Sequence, residues 1–411
     1  MKNLGIKVSI FLNYFVFAIL LNSVGIVIAK SINVYHVTES QASLLEAFKD
    51  LPIAIVSFFV ASFLPRYGYK KAMLTGLVIV FFGCLLMIFG NSFAYTKILF
   101  LSIGVSFALI KLSVYSLIGI VTSTKKEHSA LMSSIEGFFM VGIASAYFLF
   151  PAFYSDTDQD AWLNVYYLLA VIIVLSFLFL LFSKVEYEVE TTGSNLKEDI
   201  LQSAKLIIVP LVLVFLASAF FFVMIEQGIM TWLPRFNEKI FKFSTTLSVQ
   251  MASILALSLA LGRFLAGYLS KKMSWVYLVI ACIIISGIIL LSVLPQLKIH
   301  IDSLNEIKNL ADVPMLGFIL PLVGLFIAPI YPLLNSTVLS SLPKSLHSPM
   351  SGLIIIFSAL GGTLGSRIVG ELFERIGGAN AFYFLLIPMA LLILFVILID
   401  RITKKNSVVE V

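Results

Sequence analysis

Apolar residues along this chain neither alternate nor recur on one face of a helix. They run on in blocks of about twenty, with polar residues gathered in short stretches between them. A run of that length, hydrophobic all round, predicts a helix that crosses a bilayer. The blocks fall near 8 to 30, 43 to 65, 73 to 91, 97 to 122, 130 to 153 and 162 to 183. They resume near 206 to 232, 247 to 270, 275 to 295, 314 to 342, 348 to 372 and 379 to 400. The expected fold is therefore an all-α membrane protein of twelve transmembrane helices. It divides into a six-helix half over residues 1 to 183, a polar linker over 184 to 205 and a second half over 206 to 411. The first block follows only Lys2 and Lys7 and precedes no small-residue cleavage site, so it reads as a retained helix.

Composition agrees with the pattern. Of 411 residues 60% are hydrophobic and 12% charged, 36 are Phe, and the mean hydropathy is +1.05, whereas a soluble chain is about one quarter charged. The basic residues then orient the spans. With both termini inside, sixteen of the 28 Lys and Arg fall on the cytoplasmic side, eight fall outside and four lie within spans. That bias predicts cytoplasmic N and C termini and accounts for the +6 net charge without a nucleic acid partner. Short loops with such a bias fit a bacterial inner (plasma) membrane, and nothing in the chain calls for a second copy, so a monomer is expected.

Few catalytic arrangements survive inspection. Cys84 and Cys282 both sit in apolar runs, which argues against a disulfide framework or a Cys-rich metal site. His36, His128, His300 and His347 fall in loops without metal-ligand spacing. No phosphate-binding glycine loop and no nucleophile elbow is present. An enzyme, a cofactor, a metal and direct drive by ATP are accordingly not expected.

An internal repeat supplies the architecture. After the second span the chain reads Ala61 through Pro65, Arg66, Gly68, Lys70 and Lys71; after the eighth it reads Gly262, Arg263, Gly267, Lys271 and Lys272. Both are small-residue helix ends running into a basic turn, half a chain apart, which is the signature of a parallel duplication. The first copy matches the loop motif of the major facilitator superfamily at Arg66, Gly68, Lys70 and Lys71, with Ala61 and Pro65 where that motif has Gly and Asp. The chain resembles that superfamily over essentially its whole length. Four stretches resemble its fucose/proton symporter-like branch: Glu136 to Gly142 (EGFFMVG), Ile225 to Pro234 (IEQGIMTWLP), Gly324 to Pro332 (GLFIAPIYP) and Ala359 to Ser366 (ALGGTLGS). The resemblance implies two pseudo-symmetric halves around a central cavity and transport by alternating access. Where the branch carries an acid late in span four, this chain has Lys111.

Charges inside the spans mark candidate sites, because each costs about 2.5 to 3.5 kcal/mol at the bilayer centre and persists only beside a cavity or partner. Eight occur: Glu46, Lys49, Asp50, Lys111, Glu136, Glu226, Arg263 and Arg367. They sum to zero, and spans three, six, nine and twelve, which are outer helices in the fold the chain resembles, hold none. Glu46, Lys49 and Asp50 share one helix face by their spacing. In the resembled fold spans five and eight meet, as do spans two and eleven. Depth then pairs Glu136 with Arg263 near the cytoplasmic end and sets Glu46 and Asp50 against Arg367 near the outer end, either as two gates or as fixed structural pairs.

Lys111, near the middle of span four, suits an anionic substrate group or a salt bridge within its half. Glu226 is a candidate for the coupling proton, or with Gln227 caps a hydrogen-bond network. Asn13, Asn22, Gln250, Tyr331 and Asn335 could bind hydroxyls or bond between helices. Gly324, Pro329 and Pro332, with Gly361, Gly362 and Gly365, permit bending or close packing. Trp162, Trp232, Trp275, Tyr166 and Tyr167 read as an interfacial belt. The favoured function is proton-coupled symport of a small polar solute: a sugar, sugar acid or small organic anion. Proton-driven efflux of amphiphilic compounds is the alternative, although the exporter's Gly-Pro pair is missing from span five, which reads Gly142 to Ala146 (GIASA) there.

Overall fold

A computed structural model describes residues 4–60, 64–122, 125–183, 205–270, 272–300, 306–340 and 347–409. Among them the backbone is almost wholly helical, with one isolated bridge between Phe243 and Ile307. Eleven stretches are long and apolar enough to cross a membrane. The remaining span, Leu44–Val60, is shorter and carries Glu46, Lys49 and Asp50. The chain belongs to two compact units. One comprises Met1–Val37 with Leu44–Glu198, the other Thr38–Ser43 with Asp199–Val411. The short peptide between spans one and two therefore packs with the C-terminal unit, which the simple division at the linker does not anticipate. The linker itself, 184 to 204, lies outside the described residues.

In the N-terminal unit span one is two helices, Leu4–Asn22 and Val24–Tyr35. Backbone bonding carries through the interruption, from Ser23 N to Ile19 O and from Val27 N to Ser23 O. Leu44–Val60, Tyr69–Gly90, Phe93–Val121, Lys125–Leu149 and Val165–Phe182 complete the six spans. Gly68, at φ +96°, turns the chain into span three in a conformation that side-chain-bearing residues rarely adopt. Spans three and six leave large apolar side chains on the surface, Phe89 and Phe182 being more than three-quarters exposed. For a helix facing lipid this is the expected dressing.

In the C-terminal unit span seven is the 30-residue helix Pro210–Lys239, and span eleven, His347–Ile376, is equally long. They pack along much of their length. A methyl at Gly365 would stand 2.5 Å from the Met224 carbonyl oxygen, and one at Gly361 would run into the Phe220 carbonyl. Glycine is thus what lets these two backbones touch. Trp232 seals the contact: its indole N–H donates to the Ser366 carbonyl at 2.9 Å and its ring stacks on Phe373. Trp162 is likewise fully buried, between Tyr35 and Tyr166. These two tryptophans are core residues and not an interfacial belt, because each indole finds apolar or hydrogen-bonding neighbours inside its unit.

Span eight is Thr245–Leu269, span nine Trp275–His300, and span twelve runs through Gly378–Tyr383 and Leu386–Val409. Span ten is broken into Met315–Ile319, a 3₁₀ turn at Leu320–Leu322, Val323–Ile327 and Ile330–Ser340. Pro321, Pro329 and Pro332 account for the breaks, since each removes a backbone donor and crowds the preceding turn.

Candidate functional site

Four polar constellations lie within the helices, and each can be described inside a single unit. The first surrounds Lys111. Phe107 and Tyr115 lie one turn before and after it on span four, and its Nζ stands 5.7 Å and 5.9 Å from their ring centroids. Tyr115 Oη donates to Glu136 Oε1 on span five at 3.1 Å. Tyr14 on span one packs against Phe107 and Tyr115, both at 6.5 Å, and against Phe139 at 5.7 Å. Its hydroxyl sits beside Tyr115 but closes no hydrogen bond of normal geometry among the described residues. Lys111 makes no ion pair among them either, and Glu136 is the charged group acting on it. An ammonium flanked by two aromatic faces, with an acceptor and a spare hydroxyl nearby, can receive an anion.

The second constellation is the group on span two. Lys49 is ion-paired with Glu46, one turn away, and with Asp50 at 3.4 Å, all three side chains being buried. Span four crosses at this point: a methyl on Gly104 would collide with the Lys49 carbonyl oxygen and lie 3.1 Å from Pro52 Cβ. The expected face-sharing is present. Glu46 and Asp50, however, find their cation on their own helix, where depth arithmetic had set them against Arg367.

The third lies in the C-terminal unit. Arg263 on span eight pairs with Glu226 on span seven at 3.6 Å, and the guanidinium side chain is 44% exposed. Within their own units Arg263 meets Glu226 and Glu136 accepts from Tyr115. Phe222, one turn before Glu226, stacks on Tyr331 at 5.2 Å, and the Tyr331 hydroxyl is 3.2 Å from that of Ser358. The Asn335 side-chain carbonyl, one turn further on span ten, is buried without a hydrogen bond among the described residues. Gln227 is half-buried. Tyr331, Asn335 and Glu226 therefore collect on neighbouring helices, as their polarity predicts. Asn22 does not join a site through its amide nitrogen, which donates to the Ala18 carbonyl of its own helix at 2.8 Å.

The fourth was not foreseen apart from Arg367. The helical turn Glu39–Ala42, capped reciprocally by Thr38 and Gln41, is fixed to spans seven and eleven. Glu39 takes Arg235 at 2.8 Å; Ser40 donates its N–H to Glu374 at 3.0 Å and its hydroxyl to Glu371 at 2.5 Å. Arg367 donates to the Ser40 carbonyl and to Ser43 Oγ, and it pairs with Glu371 at 3.6 Å. Arg235, placed in a loop by the apolar pattern, is instead a buried helical residue shared with Glu238 at 3.2 Å.

At the basic turn Lys70 Nζ donates to the carbonyls of Leu181 at 2.9 Å and Ser183 at 2.7 Å, where span six ends. A cation there satisfies carbonyls left without helical partners. Arg66 and Lys71 are exposed, and Gly68 supplies the turn.

Residues 8–366 match the sequence profile of the Major Facilitator Superfamily. The fold is similar to that of a bacterial homologue of the human lysosomal transporter Spinster in an inward-facing, occupied conformation, with TM-score 0.76, 13% identity and 96% of each chain covered. It is similar to a D-xylose-proton symporter, with TM-score 0.70, 14% identity and 97% of each chain covered. It is also similar to a variant of the E. coli fucose:proton symporter FucP, with TM-score 0.64, 13% identity, 97% of this chain and 99% of that one. No curated protein matches the chain in sequence.

Proposed function

The chain belongs to the Major Facilitator Superfamily, and from that premise we propose that it moves a small polar solute across the membrane by alternating access, drawing the solute in together with protons. The solute classes that fit are a sugar, a sugar acid or a small organic anion. The observation that carries the reading is the Glu226–Arg263 pair at 3.6 Å within apolar spans, with the guanidinium still accessible. Protonating Glu226 cancels that attraction, so one proton changes the charge pattern of the C-terminal unit. Two proteins of similar fold are proton symporters for xylose and fucose by name, which favours the same coupling here.

In this reading the protein is a monomer in a bacterial inner membrane with both termini cytoplasmic. Arg367's hold on Ser40 and Ser43 acts as an outer gate.

The test is uptake into proteoliposomes under an imposed inward proton gradient, with Glu226→Gln in parallel. Gradient-driven accumulation of a sugar or organic anion that Glu226→Gln abolishes, while solute exchange at equal pH persists, supports symport. Extrusion of lipophilic cations in exchange for protons would replace it with efflux of amphiphiles.

A further inference from the structure

We infer that the solute is a hydroxylated carboxylate, of the sugar-acid class, with its carboxylate on Lys111 and its hydroxyls on Tyr14 and Glu136. This deepens the transporter reading above and depends on it.

The argument is one of unmet bonding capacity. Lys111 and Lys49 are both ammonium groups on apolar spans, yet Lys49 has two carboxylates against it while Lys111 makes no ion pair among the described residues. The rings of Phe107 and Tyr115 hold the Lys111 cation by their faces. An ammonium carries three N–H donors, and ring faces do not use them as a carboxylate does. A neutral sugar would bring that ammonium no carboxylate at bonding distance, Glu136 acting on it without an ion pair.

A simple fatty or alkyl carboxylate fails for the opposite reason. Tyr14 is 2% exposed and its hydroxyl lacks a hydrogen bond of normal geometry. Glu136 accepts from Tyr115 through Oε1, and its other oxygen takes no hydrogen bond or ion pair among the described residues. The Tyr14 hydroxyl, without a bond of normal geometry, and the half-buried Glu136 oxygen match ligand hydroxyls better than they match an alkyl chain. The C–H faces of a polyol fit the ring walls formed by Phe107, Tyr115 and Phe139. One ligand class meets all three demands: an anion at one end, hydroxyls beside it and apolar faces between.

The experiment is thermal stabilisation of the full-length protein in detergent by D-glucuronate, D-glucose and hexanoate, on wild type, Lys111→Gln, Lys111→Arg and Tyr14→Phe. Proton-driven uptake of the same three compounds is measured in proteoliposomes. Glucuronate should stabilise wild type, and glucose and hexanoate should not at the same concentration. Lys111→Gln should weaken glucuronate by more than tenfold, Lys111→Arg should retain binding, and Tyr14→Phe should weaken it about fivefold. The wild-type ranking stands as a test even where a variant fails to fold. Equal stabilisation by glucose or hexanoate, or undiminished glucuronate binding by Lys111→Gln, overturns the inference. Proton-driven uptake of glucose without glucuronate binding overturns it too, leaving the transporter reading intact. Glucuronate bound through Lys111 but never accumulated overturns that reading instead.

Discussion

Arg235 and Glu39, 196 positions apart in the chain, stand 2.8 Å apart within the C-terminal unit, and Arg235 is only 3% exposed. The guanidinium also holds Glu238 at 3.2 Å, so a single buried cation serves two carboxylates. Removing one partner of such a group leaves the others uncompensated. Arg235→Leu is expected to cost about 2 kcal/mol, below the range for fully buried pairs because both carboxylates keep some exposure. Glu39→Gln, which preserves an acceptor, should cost less than half as much. Thermal unfolding in detergent measures both, and equal losses would contradict the shared-cation account.

Packing between spans seven and eleven makes a sharper prediction. At Gly365 an added methyl meets backbone of Met224, which cannot swing aside as a side chain would. Gly365→Val should therefore force the helices apart, costing more than about 3 kcal/mol and abolishing recovery of folded protein. Gly267, on the exposed part of span eight, has nothing within 4 Å of where a methyl would stand. Gly267→Ala should stabilise by about 0.5 to 1 kcal/mol through helix propensity alone. A like response at the two glycines would show that close approach is not what selects Gly365.

Particular residues show how far the sequence could be read. Uniform apolarity suffices for the spans, and Pro329 and Pro332 permit bending in span ten, because backbone donors and bilayer thickness are local properties. Partners were a different matter. Depth along a helix follows from residue counting, but the direction a side chain takes around the axis depends on packing. Counting alone points Arg263 toward Glu136 and Arg367 toward Glu46 and Asp50; it gives no sign that, within the C-terminal unit, Arg263 meets Glu226 and Arg367 holds Ser40 and Ser43. Tyr115 carried a legible signal: it lies one turn from Lys111, on the same face. Ser40 carried none, since a short polar turn looks alike whether solvated or docked. Arg235 was misplaced because Pro234 and the neighbouring polar residues suggested a helix end, whereas the helix continues to Lys239.

The span-two charges allow a test by neutralisation. Lys49→Met removes a cation paired with both Glu46 and Asp50, leaving two buried carboxylates near each other. A loss of about 3 to 5 kcal/mol is expected. The triple variant Glu46→Gln, Lys49→Met, Asp50→Asn has no charge to bury and should recover most of that loss in detergent unfolding. If the triple variant is as unstable as the single one, side-chain volume and not charge is what the position requires.

The basic turn separates two lysines that composition treats alike. Lys70 donates to two carbonyls at the end of span six, while its neighbour Lys71 is exposed. The C-terminal end of a helix carries partial negative charge on unpaired carbonyls, and a cation there contributes about 0.3 to 1 kcal/mol. Lys70→Ala should lower the unfolding free energy by an amount in that range, and Lys71→Ala should leave it within error. Lys70→Gln discriminates further, because an amide N–H can still reach a carbonyl. A stability between those of Lys70→Ala and wild type would assign part of the effect to the hydrogen bonds and the remainder to the charge. Equal loss in the Ala and Gln variants would assign all of it to the charge at the helix end.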